Sequence, residues 1–344
     1  MDTILFLAHV EPNGSLAKAS LEALNAAATM AKSLPQAMLV AGLVGGNVQP
    51  AADAIAGCGA AKILAVAGAD FSQPRYGTDA AAAESLCRAL QATIVVAPGT
   101  SRWARVAAGV AQRLQGRADS HATAIQVENS APQITRWYYR QRLEAIVQRA
   151  QRPWLILLDP GCVPPWQGTA GQANLEMVSV PVNETWRATT VTGVRTPAAD
   201  AQTIRPEADL LFVTGAGWTK KQADGQSRVK EAEVLILDFL KHTRASLGSS
   251  KSLVDLSVEG QAVLSCLTHL NQVGQTGSTP RHPKGLATCC HGEEPHSVGW
   301  RFINERRAIN LDANCGWARG KADVLYVADA FAVMAKLNAL LADR

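Results

Sequence analysis

Ala92-Thr93-Ile94-Val95-Val96-Ala97 is a run of small and β-branched residues flanked by two Ala-rich segments of helical spacing, Thr78–Leu90 and Ala104–Leu114. A run with no polar alternation is apolar on both faces, as a strand covered from both sides must be. Such strands, separated by helices, build a parallel sheet in a layered α/β fold. The same pattern continues toward the N-terminus. Thr3–His9, Ala37–Val44 and Lys62–Val66 are strand-like, and Ser15–Lys32 and Ala51–Gly57 are helical. After the second helix, Thr135–Val147 and Pro153–Leu158 read as later strands, for which antiparallel pairing stays open.

From Gly161 to Arg205 the texture changes. Pro164, Pro165, Pro181 and Pro197, with Thr189, Thr190 and Thr192, interrupt any period, so the closing edge of one domain and a linker are expected there. The alternation restarts at Ala208. Asp209–Gly215 is a strand ending in a glycine turn. Arg228–Thr243 carries apolar residues at helical spacing, and Leu286–Cys290, Arg307–Leu311 and Val324–Val327 are further strands. Ala330–Leu341 is a terminal amphipathic helix. The expected organisation is two layered α/β domains with mainly parallel sheets. The first spans 1–185, a linker 186–204, the second domain 205–329, and a C-terminal helix 330–344.

Composition narrows the function classes. In 344 residues, 47% are hydrophobic and 18% charged, which excludes disorder for the bulk of the chain. The balance of 33 Lys and Arg against 29 Asp and Glu, +4, is too mild for a nucleic-acid partner. No stretch has the twenty or so apolar residues of a membrane span. Asp2 stands where a signal peptide carries a basic residue, so a bacterial cytosol is the expected location. The seven cysteines form no CxxC pair, which argues against a disulfide scaffold or a zinc ribbon. Cys289-Cys290-His291 lacks metal-ligand spacing, and adjacent strand residues point to opposite faces, so no metal site is expected. His9 reads as a structural histidine. No Ser-His-Asp order, Walker A lysine or Gly-x-Gly-x-x-Gly fingerprint is convincing.

The stretch that carries chemistry is Val273-Gly274-Gln275-Thr276-Gly277-Ser278. Its two glycines allow a tight turn whose amides face an anion. Alone, a Gly-x-x-Gly turn is common on surfaces. It is preceded by Gly248-Ser249-Ser250-Lys251-Ser252-Leu253-Val254-Asp255 and followed by His296, Ala308-Ile309-Asn310 and Ala322-Asp323. This ordered set resembles the flavin-binding domain of the electron transfer flavoprotein α-subunit family. Arg205-Pro206-Glu207 is similar to that family's entry segment, and Ala97-Pro98-Gly99-Thr100-Ser101 with Thr135-Arg136 and Tyr139 to its first domain.

The resemblance implies a Rossmann-like FAD-binding domain and a set of contacts. Ser250, Gln275 and Thr276 would hydrogen-bond the FAD diphosphate and ring edge, with Thr276 near flavin N5. Gly274 and Gly277 would allow close approach, and Lys251 would sit beside the ring in place of an Arg. His296 would lie at the pyrimidine end, His291 would replace a family Ser, and Asn310 and Asp323 would hold the adenosine. The implied partners are a β-subunit, a primary dehydrogenase as donor and a quinone reductase as acceptor, with no membrane insertion. The chain departs from the family at Thr214-Gly215-Ala216-Gly217-Trp218, where a guanidinium is missing and Trp218 replaces a small residue. Two other readings stay open: a non-redox scaffold paralogue without FAD, and a flavin-dependent dehydrogenase with its own substrate site.

Overall fold

A computed structural model describes residues 2–138, 143–193, 204–205, 207–255, 263–274, 278, 280–288 and 303–343. The chain divides into two compact units, 1–194 and 195–344.

The first unit contains β1 (Thr3–His9), α1 (Lys18–Ser33), β2 (Met38–Gly45), α2 (Gln49–Ala54), β3 (Ile63–Ala67), α3 (Ala69–Ser72) and α4 (Tyr76–Ala89). It continues with β4 (Ile94–Pro98), α5 (Ser101–Arg113), β5 (Arg117–Glu128), β6 (Ala131–Tyr138), β7 (Leu143–Val147), β8 (Trp154–Leu158) and β9 (Leu175–Met177). One sheet holds them in the order β7-β6-β5-β8-β4-β1-β2-β3-β9. All pairs are parallel except β5–β6 and β6–β7, so the antiparallel pairing left open at 135–147 is a hairpin of two strands. The apolar runs are apolar on both faces because both are covered. In β1, Ile4, Phe6 and Ala8 pack with α1 and α2, while Leu5 and Leu7 pack with α4 and α5.

Residues 186–194, read from sequence as the start of a linker, lie within this first unit. Arg187 donates to both Asp70 oxygens, at 2.8 and 2.7 Å. Gly77 passes so close to Trp186 that a Cβ on it would meet the Trp186 backbone at 2.8 Å.

His9 ends β1 with its ring 5.9 Å from that of Trp103. Its Nδ1 is buried and has no hydrogen-bond partner. Burial first, and then the charge of Arg102, lower its pKa from 6.5 to about 4. The unfolded chain therefore takes up a proton at a higher pH than the folded one. The stability this neutral ring contributes is present above about 6.5 and is lost as pH falls toward 4. Over that window the loss is about 3 kcal/mol. Urea unfolding at pH 7 and pH 4.5 should show His9→Gln losing less stability on acidification than the parent; parallel losses would place His9 in solvent.

The second unit contains β10 (Leu210–Thr214), α6 (Val229–Thr243), β11 (Ser246–Ser249), α7 (Lys251–Asp255), β12 (His282–Thr288), β13 (Ile303–Asn310), α8 (Gly316–Lys321), β14 (Val324–Val327) and α9 (Ala330–Ala342). Its sheet runs β11-β10-β12-β13-β14, and every pair is parallel. On one face α6 and α9 bury Ile236, Phe239, Phe331 and Met334 against Phe212, Leu247 and Ile309. On the other, Ala318 of α8 packs with Leu211, Val213, Val273 and Ala308. The terminal helix is thus part of this unit's core.

Candidate functional site

An open parallel sheet binds ligands outside the carboxyl ends of its strands, at the point where strand order reverses. In the second unit the chain steps from β10 to β11 on one side and then to β12 on the other, so that point lies between β10 and β12. The residues at the carboxyl edge are Thr214, Ser249, Thr288 and Asn310.

The turn after β10 is Gly215-Ala216-Gly217-Trp218. Gly215 N donates to Thr288 O at 2.9 Å, tying the turn to β12. Ala216, Gly217 and Trp218 are buried in a single 3-10 turn. Trp218 is fully buried; its ring packs on Phe331 at 4.7 Å, and its Nε1 donates to Thr288 Oγ1 at 2.8 Å. Thr288 Oγ1 in turn donates to Val213 O, and Thr214 Oγ1 to Gly248 O, both at 3.1 Å. These hydroxyls are directed into the sheet. Among the described residues, neither the Ala216 nor the Gly217 N–H has an acceptor. Buried backbone donors are nearly always paired, so two adjacent ones without partners suit a bound anion.

Beside this turn, β11 ends in Ser249, and Ser250 follows it, both fully buried. A Cβ on Gly248 would meet Val273 Cγ2 at 2.6 Å, so glycine there lets the 272–274 segment lie against β11. Val273 N donates to Ser249 O at 3.0 Å and Gly274 N to Ser278 O at 2.7 Å. Gly274 has φ +83°, a left-handed backbone at the first of the two glycines. Ser250 Oγ accepts from Leu253 N at 3.3 Å and caps α7. Lys251 is ion-paired with Asp255, which also meets His269 Nε2 at 3.2 Å. The Lys251 hydrogen bond, opposed by slight desolvation and aided by His269, holds the Asp255 carboxyl below its ordinary pKa.

Asn310 closes β13, buried, with Oδ1 accepting from Asp312 N at 3.0 Å. Asp323 is not brought to this edge. It precedes Val324, whose partner is Arg307, so it lies level with Arg306 at the amino end of β14, about 13 Å from the carboxyl edge. There it accepts from Arg306 N at 2.7 Å and Arg306 Nη2 at 2.8 Å, and these bonds depress its pKa. The acid at the edge is Asp329, which follows β14 and accepts from Phe331 N at 2.7 Å, next to the Ala328 N to Asn310 O bond of 3.2 Å. The sequence held this signal: in a parallel sheet the acid before a strand lies at the wrong end and the acid after it at the right one. Gln275, Thr276, Gly277, His291 and His296 lie outside the described residues, as do Cys289 and Cys290.

The family model of the electron transfer flavoprotein domain matches residues 4–184. The chain belongs to that family. The match falls on the first unit and accounts for its layered α/β sheet, and it supports an electron-transfer flavoprotein role in general. A comparison with curated proteins returns no match. The family's flavoprotein character directs attention to the anion-suited edge of the second unit, which the matched segment does not include. No helix of the described residues is long and apolar enough to cross a membrane.

Proposed function

We propose that this chain is the α-type subunit of an electron transfer flavoprotein and binds FAD at the carboxyl edge of its second unit. The observation that carries this reading is the pair of buried amides of Ala216 and Gly217 at the strand-order reversal, which have no acceptor among the described residues, alongside the left-handed turn at Gly274. The described residues fit a diphosphate: it needs N–H donors in a confined place, and the local hydroxyls are already bonded elsewhere. Bound FAD would supply reversible uptake of one or two electrons.

The residues around it have separable tasks. The Ala216 and Gly217 amides hold the phosphates, and the turn at Gly274 lies beside them. Ser250 keeps α7 capped against that cradle, and Lys251 contributes a positive charge nearby. Gln275 and Thr276 bond the diphosphate and ring edge, and Gly277 leaves room for them. His291 and His296 act at the ring, where a donor near N1 favours added electron density. Asn310 holds the adenosine together with Asp329, the acid at the same edge. A β-subunit completes the site, a primary dehydrogenase delivers electrons, and a quinone reductase accepts them in a bacterial cytosol.

Trp218 favours a second reading, a non-redox paralogue: the turn carries an indole and no guanidinium. Removing a flavin contact separates the two. Thr276→Ala should raise the FAD dissociation constant about ten- to a hundredfold, since a hydrogen bond to a charged group contributes about 1.5–3 kcal/mol. Flavin fluorescence on release measures it; an unchanged constant would place the turn in solvent.

A further inference from the structure

The α6/α9 face of the second sheet is incompletely filled. A cavity of about 530 Å³ lies between α6, α9 and strands β10, β12, β13 and β14. Val333, Leu337 and Leu341 line it from α9 at four-residue spacing, and Leu286 and Ile309 line it from the sheet. Protein interiors pack to near crystal density and leave few voids larger than a water molecule. The cavity is open on one side and mostly apolar along its floor, so it suits an occupant with an apolar body.

Shape narrows the occupant. From β10 to β14 the cavity crosses three strand spacings, about 14 Å. An extended apolar chain of that length lies along the apolar residues of the lining. The exposed end of the lining is polar. Arg307 donates to Tyr326 Oη at 3.4 Å, and Lys284 has no ion pair among the described residues. Among the described residues Glu305 is the one carboxylate of this lining, set against Lys284 and Arg307, so the balance of the described lining is positive.

We propose that this cavity binds a medium-length aliphatic carboxylate, with its chain between α9 and the sheet and its head group on Arg307 and Lys284. The site lies on the helix-covered face and not at the carboxyl edge, so it stands whether or not the chain carries a flavin.

Titrating the full chain, as purified, with dodecanoate in a calorimeter tests this. One-to-one binding is expected, and dodecyltrimethylammonium should bind at least tenfold more weakly. Arg307→Gln should weaken dodecanoate about tenfold, the loss of one charge-assisted contact, and leave dodecanol unchanged. Leu337→Trp, which fills the cavity, should abolish uptake of both while the thermal transition is kept. If that variant fails to fold, Leu341→Trp at the more open end replaces it. Absence of dodecanoate binding overturns the proposal, as does equal binding of the two head groups or binding that survives the filled cavity. A copurifying polypeptide that blocks uptake would also overturn it, by supplying a different occupant.

Discussion

Asp119→Ala is expected to destabilise the first unit by about 3–5 kcal/mol, the usual result of removing one partner from a buried ion pair. Asp119 is 1% exposed and ties three strands and the segment after β7 together. It sits on β5 and accepts from Arg136 of β6 at 2.6 Å, from Arg149 just beyond β7 (Nη2 at 2.8 Å), and from Trp154 Nε1 of β8 at 2.8 Å. Truncation leaves two guanidinium groups facing each other and a buried indole N–H without an acceptor. Burial alone would raise this carboxyl's pKa, but the bonds from Arg149, Trp154 and Arg136 outweigh it and the net shift is downward. The stability it contributes is therefore present above the ordinary carboxylate value of 3.8 and is lost as pH falls through the lower folded value. Urea unfolding should show the large loss at pH 7 and a shallower acid slope in the variant. A loss below about 1 kcal/mol would mean that both arginines simply rehydrate.

Trp218→Ala should cost the second unit about 3–5 kcal/mol, the range for emptying a buried aromatic site. The indole fills the space between Phe331 and the ends of β10 and β12, and it is the donor to Thr288 Oγ1. Trp218→Phe separates the two contributions. It keeps an aromatic ring but removes the N–H and part of the indole volume, so it should cost less than Trp218→Ala, about 1–3 kcal/mol. Chemical unfolding of the full chain gives both values. Equal losses for the two variants would show that the hydrogen bond, and not the volume, holds this turn.

The legible parts of the fold were those in which one strand is apolar on both faces. Thr3–His9 and Val324–Val327 appear in the structure with the bounds read from sequence, and the helix read as Arg228–Thr243 begins one residue later. Strand β5 was not legible. Arg117, Asp119, Ser120, His121, Thr123, Gln126 and Glu128 give it a polar texture, and its anchor is the Asp119 node, whose partners come from three other segments. Strand β11 escaped because Ser-Leu-Gly-Ser is short and small; only its register with β10 makes it a strand. The candidate site reads in sequence as an ordered set of turns, of which 248–255, Gly274 and Asn310 lie among the described residues. Sequence order alone misassigned Asp323, because strand direction and not motif spacing decides which edge an acid reaches. Trp218 was visible as a departure, but its partner Thr288 lies 70 residues away and no local pattern links them.

The most direct test of the central claim is the visible absorption spectrum of this chain copurified with its β-type partner, with the released cofactor then identified. The account predicts flavin bands near one FAD per αβ pair, bleached by reductant and absent after Thr276→Ala purification at low flavin concentration. A colourless complex that takes up no FAD when it is supplied would contradict it.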